Sequence, residues 1–154
     1  MILGIAVWVK FGNEVLLQQK ILQRGEVKIV YFEPFKGWLK NKEFVKDALR
    51  RIMKENIEFC TDTRLHFREI AREIFGIPGK GTAVRYHFVV EVPYNVNILR
   101  ENVRLIGEKD LEKAKKMNEK GKNFQKDIIL FDNDYNVLLQ IFPSFLFFKI
   151  AIFI

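Results

Sequence analysis

Four residues between positions 37 and 55 have the types and the spacing to handle a phosphate group. They are Gly37, Glu43 six residues later, Arg51 eight after that, and Glu55 four further on. A glycine in a loop followed by a helix that carries acids can hold a divalent cation against a phosphate, because magnesium usually bridges one or two carboxylates to substrate phosphates. With Asp47, the two glutamates and the arginine also repeat every four residues, so a surface row of ion pairs is the alternative interpretation.

The residues around this set predict a strand, a loop and then a helix. The helix is expected to begin near Asn41 and Lys42, with the Asn41 side chain as the N-cap that accepts from free amides of the first turn. Apolar pairs then recur with a period close to 3.6 and predict one broad buried stripe. The pairs are Phe44 and Val45, Ala48 and Leu49, and Ile52 and Met53.

The stretch from Pro34 to Asn56 resembles the Nudix box, whose pattern is G-x5-E-x7-R-E-U-x-E-E-x-G-U, with U a bulky aliphatic residue. The matching residues are Gly37, Glu43, Arg51 and Glu55, with Met53 a loose fit at the aliphatic position. Ile52 and Asn56 stand where the pattern has glutamates, and Glu58 stands where it has the closing glycine. Isoleucine cannot coordinate a cation and asparagine offers a weaker, neutral oxygen, so the box is degenerate.

The resemblance implies roles for the residues that match. Glu55, and with it Glu43, would be the metal ligands for Mg²⁺ in a hydrolase that attacks a phosphoanhydride bond. Arg51 would orient Glu43 through a charge-assisted hydrogen bond, which makes Glu43, Arg51 and Glu55 the expected catalytic residues. Gly37 would let the loop backbone approach the helix start closely, and it is the expected cofactor-binding residue.

The resemblance implies the α/β (α+β) class, with a Nudix-like mixed sheet sandwiched between helices, and the order of strands along the chain fits it. Residues 1–10 form an apolar run expected to be a buried strand, and the turn after it returns through a second strand at 15–22. A third strand at 27–32 leads into the loop before Gly37. Two long strands, at 64–75 and 82–92, are predicted on either side of a glycine-rich turn.

Composition limits the class of protein without choosing a ligand. The 154 residues carry 26 Lys and Arg against 19 Asp and Glu, so the net charge of +7 would attract nucleotides, nucleic acid or anionic lipid. One cysteine excludes an internal disulfide. The richness in Lys, Glu and Ile is typical of thermophiles. No signal peptide is visible after Met1, so a cytoplasmic location is expected.

Several later residues are secondary candidates. Family members often take a further carboxylate from the far side of the cleft, and Glu101, Glu108 and Asp110 are the candidates here, with helix capping as the alternative role. His66 and His87 are expected to be ordinary residues of the two long strands, because neither has a cysteine or histidine partner at ligand spacing.

The chain is divided into a Nudix-like domain at 1–142 and an apolar tail at 143–154. The tail is too short for a comfortable transmembrane helix, so it is expected to pack on the domain or on a partner, and a homodimer formed through it is one possibility. The lysine-dense run at 112–126 predicts a solvated surface, or less often an RNA contact.

Three functional interpretations remain open from sequence. The first is a Mg²⁺-dependent hydrolase of nucleoside diphosphate-linked substrates with a degraded metal site. The second is an inactive Nudix-fold module that binds nucleotide, RNA or protein, which Ile52 and Asn56 favour. The third is an unrelated α+β domain with a chance match to the box.

Overall fold

The computed structural model describes residues 1–60, 64–118 and 127–142. Most of these residues form strands, and the two α-helices in the described ranges lie at the middle and near the end of the chain. The strands are β1 (Ile2–Phe11), β2 (Glu14–Arg24), β3 (Val27–Glu33), β4 (Phe35–Trp38), β5 (Ile57–Phe59), β6 (Phe67–Ile77), β7 (Gly81–Glu91), β8 (Val96–Ile98), β9 (Val103–Gly107), β10 (Ala114–Lys116) and β11 (Ile128–Leu130), and the helices are α1 (Val45–Asn56), α2 (Asp132–Ile141) and a 3₁₀ helix (Glu108–Lys113).

The described residues form a seven-stranded mixed sheet. Five strands follow the order β3, β2, β1, β7 and β6, and the other two pair beside them, β4 with β1 and β9 with β2. β1 runs parallel to β7, and its other strand neighbours are antiparallel. β1 and β2 pair directly only next to their hairpin, where Gly12 takes a φ of 56° that suits glycine. Beyond that point β4 pairs with β1 and β3 pairs with β2. β4, the strand that contains Gly37 and leads into the predicted site, is therefore part of the sheet.

The two faces of the sheet carry separate cores, and each is covered by one helix. On the first face, Ile5 and Val7 of β1 pack with the apolar stripe of α1. On the second face, Trp8 packs with Val137 and Leu138 of α2. Alternate residues of β1 thus point to opposite helices, as the period of a strand requires. The predicted fold class, a mixed sheet between helices, is confirmed.

The predicted start of the first helix is wrong. Helix α1 begins at Val45, with Phe44 as an extended N-cap that makes no side-chain capping bond. Lys42 adopts a φ of 63°, in the left-handed region that a right-handed helix cannot include. Asn41 therefore caps nothing, and Glu43 precedes the helix instead of lying on its i, i+4 row.

Smaller differences concern the second half of the chain. The 3₁₀ helix is capped at Gly107, whose N–H donates to the Asp110 carboxylate at 2.9 Å, so Asp110 acts from inside the helix. His66 lies one residue before β6 begins. The tail at 143–154 and residues 119–126 of the lysine-dense run lie outside the described residues. Neither α-helix in the described ranges has the length and apolar character needed to cross a bilayer.

Candidate functional site

Arg51 brings the predicted catalytic residues together. Its Nε donates to Glu43 Oε2 and its Nη2 donates to Glu43 Oε1, each at 3.0 Å. Its Nη1 donates to Glu55 Oε1 at 3.5 Å, and Nη2 also donates to the carbonyl oxygen of Trp38 at 3.0 Å. The guanidinium therefore joins the end of β4, the loop after it and the exposed face of α1.

Glu43 is held in its charged form by these contacts. The hydrogen bond from Arg51 and then the backbone N–H of Lys40, which donates to Oε1 at 3.0 Å, lower the pKa of Glu43 to about 2. The same pair raises the pKa of Arg51. Both oxygens of Glu43 already accept hydrogen bonds, so little of this carboxylate is free for another cation.

Gly37 allows β4 to lie directly against α1. A Cβ built at this position would be 3.0 Å from Ile52 Cδ1 and 3.2 Å from Ile52 Cγ1. The buried Ile52 side chain thus fills the space below the glycine, and the close approach is to the middle of the helix. The neighbouring β4 residues Phe35 and Lys36, rather than Gly37, line the cleft next to it.

Asn56 is buried, and both the nitrogen and the oxygen of its side-chain amide are hydrogen-bonded. Only 5% of the residue is exposed. Its Nδ2 donates to the Ile52 carbonyl at 2.6 Å, and its Oδ1 accepts from Arg100 Nε at 2.7 Å. The backbone carbonyl of Asn56 accepts from Leu99 N–H at 2.8 Å. The C-terminal end of α1 is therefore tied to the loop that follows β8.

A polar cleft of about 520 Å³ opens beside this junction. The end of α1, the middle of β2, the start of β4 and the loop after β8 form its walls. Lys20, Lys36 and Arg100 line it with two carboxylates, Glu55 and Glu101. The Lys36 ammonium is bound to Asp134, outside this lining, so Lys20 and Arg100 are the cations that balance the two carboxylates. Of the three secondary carboxylate candidates, Glu101 lines this cleft, whereas Glu108 and Asp110 are not among the lining residues.

The donor set around the cleft does not fit a magnesium ion. Mg²⁺ takes oxygen ligands in near-octahedral geometry and usually keeps one or two carboxylates. Here Ile52 offers no ligand atom, the Asn56 oxygen accepts from a guanidinium, and Glu43 is paired with Arg51. Glu55 is the freest carboxylate of the predicted set, with 49% of its side chain exposed.

A second cavity, of about 450 Å³, adjoins the cleft at Lys36, which lines both. Its walls combine rings and charges: Phe75 and Phe131 lie beside Glu73, Arg85 and Asp134. Arg85 lies over the Phe75 ring, 4.6 Å from its centroid.

A chain of buried hydrogen bonds borders the second cavity. Trp8 Nε1 donates to His87 Nδ1 at 3.0 Å, and His87 Nε2 lies 2.8 Å from Glu73 Oε1. Arg85 and Asn133 also donate to Glu73, at 2.9 and 2.7 Å. Burial alone would raise the pKa of Glu73, but the hydrogen bond from His87 and the contacts with Arg85 and Asn133 lower it to about 2. The chain links the interior of the sheet to the start of α2.

Glu73, His87 and Asp134 each place one possible metal-ligand atom within 4.8 Å of the others. Because the Trp8 N–H donates to Nδ1, the His87 proton is on Nε2, and it points at Glu73. Lys36 Nζ is 2.7 Å from Asp134 Oδ2, and Arg85 is bound to Glu73. These two side-chain cations pair with the carboxylates, so the cluster forms an internal ion-pair network in this structure.

Sequence reasoning missed this network. Its members lie on four elements, β4, β6, β7 and α2, and no spacing in the sequence relates Glu73 or Asp134 to His87. His87 was expected to be an ordinary strand residue, and it does lie on β7, where the structure adds its links to Trp8 and Glu73. Arg100 was also missed, because it lies in a loop without periodic pattern.

No family model matches this sequence, and no curated protein matches it significantly. Solved structures do match. A NUDIX-family hydrolase from Clostridium perfringens superposes with a TM-score of 0.57 over 93% of this chain and 95% of that chain, at 11% identity. The NUDIX domain of Shewanella oneidensis NrtR, complexed with ADP ribose, gives 0.53 over 94% and 87%, at 12% identity. The Caenorhabditis elegans Ap4A hydrolase gives 0.52 over 95% and 98%, at 16% identity.

Proposed function

Because the chain has the Nudix fold, we propose that it binds a nucleoside diphosphate derivative in the cleft beside α1, and that it hydrolyses this ligand weakly or not at all. The observation that carries the second part is the buried face of α1. Ile52 and Asn56 occupy the positions at which the Nudix box has metal-binding glutamates, and both side chains are buried and packed or hydrogen-bonded.

The proposed ligand class rests on the shape and charge of the two cavities. The cleft presents two cations, Lys20 and Arg100, that suit a diphosphate. The adjoining cavity presents Phe75 and Phe131, whose rings suit the flat face of a base. The similarity to a domain complexed with ADP ribose and to an Ap4A hydrolase supports a nucleotide.

A hydrolase is the second candidate, and the retained group of Glu43, Arg51 and Glu55 favours it. In that case Glu55 and Glu43 would be the metal ligands, and Mg²⁺ would supply the Lewis acid for attack on phosphorus. Arg51 would position Glu43, as its two hydrogen bonds already do. The pairing of Glu43 with Arg51 leaves this candidate with Glu55 as its freest carboxylate.

Two measurements on the purified chain separate these functions. Calorimetric titration with ADP-ribose and with Ap4A tests binding, and ³¹P NMR of the same mixtures with Mg²⁺ tests hydrolysis. We expect binding with little or no turnover. Glu55→Gln is the test variant for turnover, and Glu26→Gln, in the exposed turn between β2 and β3, is its charge-matched control.

Each outcome has a clear meaning. Binding without turnover supports the proposal. Rapid turnover that Glu55→Gln abolishes and Glu26→Gln preserves would establish the hydrolase instead. If neither compound binds, the nucleotide is the wrong ligand class for this cleft. Binding of RNA in its place would be recognised by an affinity that falls steeply with salt.

A further inference from the structure

We propose that the guanidinium of Arg100 does in this cleft what a divalent cation does in a metal-dependent site: it binds the phosphates of the ligand, so that recognition needs no metal. This inference rests on the proposed nucleotide binding and assigns the residue responsible for it. It starts from the misfit between the donor set around α1 and a magnesium ion.

Arg100 binds the side-chain oxygen of Asn56, the atom at position 56 that a magnesium ion would otherwise contact. Its Nε donates to Asn56 Oδ1 at 2.7 Å. The orientation of that amide is fixed, because Nδ2 donates to the Ile52 carbonyl at 2.6 Å and only the oxygen can face Arg100. The side chain at position 56 therefore presents an acceptor to the cleft, and a fixed positive charge is bound to it.

The amide at position 56 matters because it is neutral. A glutamate there would form an ion pair with Arg100 and cancel its charge. Asn56 accepts the same hydrogen bond without a negative charge, so the charge of Arg100 remains available to an anionic ligand. Among residues 1–60, 64–118 and 127–142, Arg100 makes no further hydrogen bond or ion pair, which leaves the Nη1 and Nη2 donors open.

The loop that carries Arg100 is anchored on both sides of it. Leu99 N–H donates to the Asn56 carbonyl at 2.8 Å, and the Asn102 carbonyl accepts from Gln19 N–H at 2.7 Å. The guanidinium is therefore held between α1 and β2 before any ligand arrives. Lys20, on β2, lines the same cleft and adds a second cation. Two parallel N–H donors of an arginine match a phosphate oxygen pair, which a single ammonium does not.

The test is calorimetric titration of ADP-ribose into the full chain, once with EDTA and once with Mg²⁺. We expect wild type to bind equally in both buffers. Arg100→Ala should weaken binding by about tenfold to a hundredfold, the loss expected for a charge-assisted hydrogen bond, and Arg100→Lys should fall between the two. Arg68→Ala, which removes an exposed arginine from β6, is the matched control and should bind like wild type.

Asn56→Asp gives a test in the opposite direction. The new carboxylate should pair with Arg100 and weaken ADP-ribose binding about tenfold in both buffers. If a metal site is latent in this cleft, the same change should strengthen binding in Mg²⁺ and not in EDTA, which would overturn the assignment. Circular dichroism and thermal unfolding identify any variant that has not folded, and Arg100→Lys then replaces Arg100→Ala in the comparison.

The remaining outcomes separate this inference from the proposed function. Wild type that binds in neither buffer refutes both. Wild type that binds only with Mg²⁺, or Arg100→Ala that binds as tightly as wild type in EDTA, overturns the role of Arg100 and leaves nucleotide binding standing.

Discussion

Arg51 binds both carboxylate oxygens of Glu43 at 3.0 Å and so fixes the loop before α1 to the helix itself. A charge-assisted pair with two parallel bonds specifies geometry as well as charge. In this chain Glu43 also accepts a hydrogen bond from the Lys40 N–H, and the helix begins after it, at Val45.

The first prediction concerns acid. The pKa of Glu43 is lowered from 4.5 to about 2, so this carboxylate stabilises the folded state above pH 4.5 and loses that contribution as the pH falls toward 2. The difference in unfolding free energy between wild type and Glu43→Gln, measured by urea titration, should therefore shrink over that interval. Glu26→Gln controls for the loss of one negative charge. A difference that stays constant from pH 4.5 to pH 2 would contradict the assignment.

The second prediction concerns the contact between β4 and α1. Gly37→Ala places a methyl group 3.0 Å from Ile52 Cδ1 and should destabilise the fold by about 1 to 3 kcal/mol, the usual cost of overpacking. Ile52→Val removes that Cδ1, so the double variant should lose less than the sum of the single changes. Gly76→Ala, where a Cβ meets nothing within 4 Å, is the control. Additive single and double changes would show that the two positions do not touch.

The third prediction concerns Lys36. Lys36→Met leaves the Asp134 carboxylate, which is 1% exposed, without its cation and should cost about 2 kcal/mol or more in unfolding free energy. Lys10→Met is the matched control, since its partner Glu91 is 81% exposed and 3.8 Å away, and it should change stability by less than about 1 kcal/mol. Equal costs for the two variants would argue against a structural role for the Lys36 pair.

The fourth prediction concerns the proton of His87. The bond from Trp8 requires a lone pair on Nδ1, so the imidazole should be the Nε2–H tautomer. Long-range ¹H–¹⁵N correlation spectra distinguish the two tautomers directly. Trp8→Phe removes the donor and should release this preference. An Nδ1–H signal in the wild type would show that the Trp8–His87 bond is assigned wrongly.

The fifth prediction concerns positions 52 and 56, where the Nudix box has glutamates. Ile52→Glu combined with Asn56→Glu gives α1 carboxylates at positions 52, 55 and 56, more than Arg100 can neutralise. We expect Mg²⁺ binding measurable by calorimetry, at a cost in stability, because position 52 is buried. The double change to glutamine is the control, and equal Mg²⁺ binding by both double variants would mean that the carboxylates do not form a site.

Local sequence was sufficient to predict the strand, the loop and the helix, together with the group formed by Glu43, Arg51 and Glu55. The apolar stripe of α1 has a clear period. Arg51, on the same helix, donates hydrogen bonds to both glutamates. The helix start was missed because the ion pair and the left-handed Lys42 override a plausible cap at Asn41.

What the sequence could not supply is long-range. Arg100 meets Asn56 across 44 positions and His87 meets Trp8 across 79, and neither pairing leaves a periodic signal. A homodimer formed through the tail at 143–154 and an RNA contact of the lysine-dense run stay predictions, because the tail and residues 119–126 lie outside the described residues. A cytoplasmic location stays a prediction as well, because the fold does not bear on it.

The two tryptophans of the chain report on different parts of it. Trp8 is fully buried beside His87, whereas Trp38 is 44% exposed and stacks near Phe75 and Arg85, which border the second cavity. A Trp8→Phe chain retains Trp38, so its intrinsic fluorescence would report occupancy of that cavity. A Trp38→Phe chain retains Trp8, so its fluorescence would report unfolding of the core. The molecule carries a built-in optical reporter for each event, without any added dye.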